Sequence, residues 1–138
     1  MSTKNARVAA VQMVSTADIH ANIKAAGRLI GEAAGEGAAL VVLPENFAVL
    51  DGGPQAQFAE HEGDYEGLLQ GFLSAQAQRH GIELVAGTIP LVTRPAPAGQ
   101  DAELLVDGRV RPASLVFDRH GAIIARYDKM HLFDVEVS

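Results

Sequence analysis

Hydrophobic positions along this chain follow two alternating rhythms, one of strands and one of helices. Residues 7–14 (RVAAVQMV) are β-rich and almost continuously apolar, which predicts a strand covered on both faces. Asp18 stands where a helix N-cap belongs. Ile19, Ile23, Ala26, Ile30 and Ala33 follow at steps of four, three, four and three, along one helical stripe. Gly35 and Gly37 punctuate its end. A short apolar run over 39–43 (ALVVL), closed by Pro44, predicts a second, buried strand. Helical spacing returns over 65–80, with Leu69, Phe72, Leu73 and Ala77 on the apolar face and Gly81 as the stop. Residues 82–89 predict a third strand ended by Pro90.

The remaining segments connect or extend these elements. Residues 47–64 read as a long irregular excursion with Gly52-Gly53-Pro54 at its turn, and loops of that length are usually functional or flexible. Residues 93–100 (TRPAPAGQ) form a connection between strands. A short strand over 104–106 leads through Asp107-Gly108 into 110–117. Asp118-Arg119-His120-Gly121 then turns the chain into 122–127, which predicts a hairpin. The order β-α-β-α-β followed by antiparallel strands predicts a layered α/β fold, with residues 1–138 expected to be the N-terminal part of a single domain. No closing helix follows Tyr127, so the sheet is expected to show an open edge and an uncovered face.

Composition narrows the partners. The chain has 138 residues, 48% hydrophobic and 20% charged, which suits an ordinary globular core. Its net charge of −6 argues against a nucleic-acid partner. Arg109, Arg111, Arg119 and Arg126 are close in sequence but interleave with apolar residues, so they read as solvated strand faces rather than a binding patch. No run approaches the roughly 18 apolar residues of a membrane span, and the first five residues do not resemble a secretory signal. Cysteine is absent, which excludes disulfides and thiol catalysis by these residues and fits a cytoplasmic protein. His20, His61, His80, His120 and His131 show no metal-site spacing, so neither a metal nor a cofactor is expected.

Two residues carry candidate chemistry. Glu45 directly follows the strand at 39–43, and functional side chains of α/β sheets concentrate at strand carboxyl ends. A carboxylate there is expected to be partly desolvated and suited to general-base work. It could equally cap a helix or pair with an arginine. Lys129 lies just past the last hairpin strand, where a fixed positive charge can stabilise an oxyanion. It could also be an ordinary surface lysine. Asp128 is expected to be a local charge partner, and His131 a histidine hydrogen-bonded to structure. Both candidates end apolar strands and could face one crevice, as two thirds of an acyl-transfer apparatus that lacks its nucleophile.

The motifs around them resemble the nitrilase superfamily, the carbon-nitrogen hydrolases. Leu40-Val41-Val42-Leu43-Pro44-Glu45-Asn46-Phe47 is similar to the family's first catalytic motif. Ala125-Arg126-Tyr127-Asp128-Lys129-Met130-His131-Leu132-Phe133-Asp134 is similar to its second. Val8–Met13, Gly87-Thr88-Ile89-Pro90 and Ser114-Leu115-Val116-Phe117-Asp118 resemble its strands. Pro112 departs from the Asn many relatives carry there. The resemblance implies an αββα sandwich, here partial and truncated before completion, and a Cys-Glu-Lys triad. Glu45 matches the general base and Lys129 the oxyanion-stabilising lysine, while this chain supplies no nucleophile. It further implies a small amide substrate, commonly a homodimer, and a wording closest to the branch of ω-amidases and deaminated glutathione amidases. The contrasting expectation is a non-catalytic split or degenerate module that only binds or assembles.

Overall fold

A computed structural model of the chain describes residues 5–50, 55–94, 103–104 and 109–131. In chain order its elements are β1 (Val8–Ala10), α1 (Ile19–Gly35), β2 (Leu40–Val42), α2 (Leu68–His80), β3 (Glu83–Val85), β4 (Ile89–Leu91), β5 (Thr93–Arg94), β6 (Glu103–Leu104), β7 (Arg111–Phe117) and β8 (Ile123–Asp128). β1, β2 and β3 are parallel neighbours, so each step between them needs a crossover, which α1 and α2 supply. β7 runs antiparallel to β3 and β4 along one edge and to β8 along the other. β5 and β6 form a separate ribbon.

Local chemistry explains where the helices begin and stop. The Asp18 carboxylate accepts the His20 and Ala21 N–H groups, both at 3.0 Å, as the sequence predicts. α2 has Gly67 at its cap position, which has no side chain to offer. Glu60 replaces it from a distance: its carboxylate accepts the N–H groups of Leu69 at 2.5 Å and Gln70 at 2.9 Å. A Cβ on Gly67 would lie 2.7 Å from the Glu60 carboxyl carbon, so the missing side chain makes room for the remote cap. Gly81 ends α2 in the left-handed conformation at φ 62°.

The two helices pack on each other and on one face of the sheet. Ala26, Ile30, Leu69, Leu73 and Ala77 meet Val41, Leu84, Leu115 and Phe117 there, all fully buried. The opposite face carries an in-register row, Ala10, Val42, Val85, Val116 and Ala125. These five are half-buried or exposed. Among the described residues no helix covers that face, as the sequence leads one to expect, and it is apolar. No helix among the described residues is long and apolar enough to cross a membrane.

Several sequence expectations need correction. The strand over 7–14 shortens to β1, and it is not covered on both faces: exposed and half-buried positions alternate, and Val8 retains 57% exposure. β1 is an edge strand, and helices cover one of its faces only. The third strand breaks in two at Ala86–Thr88, and Pro90 lies inside β4, opposite Pro112. Both prolines are tolerated because paired prolines need exchange no ladder hydrogen bonds. Over its described residues the excursion at 47–64 is irregular, as expected, but it is anchored. Phe47, Ala48 and Val49 are buried, 55–58 form a 3-10 turn, and Glu60 bridges to Leu91. The helix predicted from residue 65 starts at Leu68. The β7–β8 hairpin turns as predicted, with the Asp118 carboxylate accepting the N–H groups of Ala122 at 3.0 Å and His120 at 2.8 Å. The Ala122 bond is the main reason the Asp118 pKa lies below the ordinary aspartate value. The turns proposed at 52–54 and at Asp107-Gly108, and Leu132–Asp134 of the second motif, lie outside the described residues.

Candidate active site

Glu45 and Lys129 meet as an ion pair, Lys129 Nζ donating to Glu45 Oε1 across 84 residues of sequence. The strands that launch them are not neighbours. β3 and β7 lie between β2 and β8, three strand spacings or about 14 Å. Two side chains bridge that gap only if the backbone first carries them inward, and the contacts at the sheet's end show how it does so.

Leu43 stays in the ladder, its N–H donating to Val85 O at 2.9 Å. The chain then folds over the end of β3. Pro44 O passes so close to Gly87 that a Cβ there would sit 2.0 Å from it, and Gly87 adopts φ 60°. Asn46 follows in the left-handed region at φ 52°, which asparagine tolerates better than most residues. Its N–H donates to Thr88 Oγ1 at 3.0 Å, and its side-chain oxygen accepts from Gln55 Nε2 at 3.3 Å. Buried Phe47 closes the turn, with Ser15 Oγ donating to its carbonyl at 3.0 Å. These contacts fix the backbone on both sides of Glu45, whose carboxylate meets Lys129. On the other side, Lys129 N–H donates to Pro112 O at 2.9 Å, so the lysine is tied to the start of β7 as it leaves β8.

The pair is open to solvent: the Lys129 side chain is 30% exposed and that of Glu45 54%. The desolvation expected at Glu45 is absent, because no described element covers this end of the sheet. An exposed carboxylate and ammonium in contact can accept a proton and stabilise a negative charge at one point in space.

Arg126, three residues before Lys129, is the opposite case. It was grouped with solvated arginines by sequence, yet its side chain is only 6% exposed. The guanidinium donates to Asp128 (2.6 Å), Glu62 (2.5 Å) and Thr93 O (2.7 Å). Burial works to lower its pKa, but the hydrogen bonds and charges of Asp128 and Glu62 outweigh it and raise the value. Asp128 is a charge partner, as expected, but of Arg126 and Arg111. His131 is exposed and makes no side-chain hydrogen bond among the described residues, so it is not the structure-bonded histidine expected. Sequence reasoning placed Gly87 and Thr88 in a strand and gave neither a part in the site; the usable signal was a lone glycine interrupting an apolar strand pattern, which marks a close backbone approach.

Residues 7–138 match the family described as carbon-nitrogen hydrolase. The chain belongs to that family. It is 31% identical over 135 residues to the deaminated glutathione amidase of Yersinia enterocolitica, covering 97% of this chain and 43% of that protein. It is 34% identical over 131 residues to the omega-amidase NIT2 of Danio rerio, covering 95% of this chain and 42% of that one. The crystal structure of Saccharomyces cerevisiae Nit3, a member of branch 10 of the nitrilase superfamily, matches with TM-score 0.71 and 29% identity, over 91% of this chain and 44% of that one. The layered α/β fold is thus a nitrilase-superfamily fold. The chain spans less than half the length of the relatives it matches.

Proposed function

We propose that this chain supplies the Glu45 base and the Lys129 oxyanion partner of an amidase that cleaves a small linear amide. The observation that carries the reading is the ion pair between residues that lie on non-adjacent strands, each inside a motif resembling the family's catalytic ones. The nucleophile in this proposal is a cysteine from outside these 138 residues, which contain none.

Glu45 takes the thiol proton as sulfur attacks the amide carbon. The carbonyl oxygen gains negative charge, which the Lys129 ammonium stabilises. Collapse breaks the C–N bond, Glu45 returns its proton to the leaving amine, and a thioester remains. Glu45 then deprotonates water, which attacks the thioester and frees the acid and the thiol. Cytoplasmic residence and assembly through a family-type dimer belong to the same proposal.

Ammonia release from small linear amides tests it. The chain alone should give no turnover, and joining it to the cysteine-bearing remainder of a relative should restore it. In that active form, Glu45→Gln and Lys129→Ala should each lower kcat about 10²–10³-fold. Turnover by the chain alone, or full activity in either variant, would overturn the assignment. The lack of cysteine favours a second reading, a non-catalytic module that buries its apolar sheet face by self-association. Sedimentation separates the two, because that reading needs a stable oligomer and no activity in any combination.

A further inference from the structure

Beside Lys129, on the side where β7 begins, the surface opens into a cleft of about 450 Å³. Among the described residues its lining is unusual for an acidic chain: Arg94, Arg109, Arg111 and Lys129 meet there, with Asp128 as the one carboxylate. That carboxylate is already engaged. Asp128 accepts chiefly from Arg126 at 2.6 Å and makes only a longer contact, 3.4 Å, with Arg111, so most of its charge is taken by Arg126. Arg94 and Arg109 are exposed and form no ion pair among the described residues.

Gathering like charges costs free energy unless something of opposite sign offsets it. Arginine presents a planar fork of donors that fits the two oxygens of a carboxylate or two of a phosphate. Val110, Pro112 and exposed Met130 complete the wall with apolar surface. We infer that this cleft binds a small oxyanion, held by Arg94, Arg109 and Arg111. The cleft shares Lys129 with the proposed hydrolysis, but anion binding there needs neither Glu45 nor a nucleophile.

The four arginines grouped by sequence thus divide by position. Arg126 is buried in its own network, Arg119 sits exposed in the turn at the far end of the hairpin, and Arg109 and Arg111 line the cleft. Arg119 is therefore a built-in control.

Succinate, inorganic phosphate and neutral succinamide are titrated separately into the 138-residue chain at low ionic strength, and backbone amide shifts are followed by NMR. Succinate or phosphate should saturate, with the largest shifts at 109–112 and 128–130; whichever saturates identifies the oxyanion. Arg94→Gln and Arg109→Gln, both exposed and tolerable to the fold, should each weaken binding roughly tenfold. Arg119→Gln should leave it unchanged. Absence of saturation by both anions, equal binding of succinamide, or equal weakening by Arg119→Gln would overturn the inference. No turnover is measured, so a failed amidase reading and a failed anion site give different results.

Discussion

Two charged clusters leave the end of β8 within three residues of each other, and they are built for opposite ends. Arg126, Glu62 and Asp128 form a network with side-chain exposures of 6%, 26% and 12%. Glu45 and Lys129 form a pair exposed at 54% and 30%. In the first, water is largely excluded and the guanidinium's donors reach two carboxylates and a backbone carbonyl. Its geometry is over-determined, and it joins β8 to Thr93 at β5 and to the segment before α2. In the second, each charged group makes one charged contact among the described residues and keeps access to solvent. The lesson is that ion pairs of similar appearance divide by environment. The buried one holds the strand end in place, and the exposed one keeps both charges available to a third group.

The comparison can be broken most easily at Arg126. Arg126→Leu leaves Glu62 without its cation and Asp128 with only the longer Arg111 contact, and chemical denaturation should show a loss of about 3 kcal/mol. A loss below about 1 kcal/mol would mean the network is no more structural than a surface pair. Thr88→Val comes next. It removes the oxygen that accepts the Asn46 N–H, and a loss of about 1 kcal/mol is expected by the same measurement. The same variant, in the joined form proposed above, sharpens the distinction: it should lower kcat while leaving the β8 network intact. Glu45→Gln should have the smallest effect on stability, about 0.5 kcal/mol or less, since exposed pairs contribute little. A large loss there would show Glu45 to be structural and would move it into the same class as Arg126.

Much of the scaffold was readable because its signals are local. The stripe from Ile19 to Ala33, the Asp18 cap, the Gly81 stop and the Asp118–Gly121 turn each depend on residues a few positions apart. Glu45 and Lys129 were legible through strand-end position and surrounding motifs. Their exposure was not, because burial depends on what covers the sheet's end. Glu60 was invisible as a helix cap, since nothing in sequence joins it to Leu69 and Gln70. Arg126 was misjudged for the same reason: its partners Glu62 and Thr93 are 64 and 33 residues away. The break between β3 and β4 was missed because an apolar run does not reveal that Pro44 O must pass over Gly87.

Sequence by itself determined the alternation of strands and helices, the antiparallel hairpin, and the two motifs that hold Glu45 and Lys129. These follow from periodicity, caps and turns, whose physics operates over one or two turns of chain. Tertiary structure alone decided that the two residues touch, that Arg126 is buried while Glu45 is not, and that three arginines gather around one cleft. Those outcomes depend on which strand lies beside which, and solvent exposure is a property of the whole fold rather than of any segment.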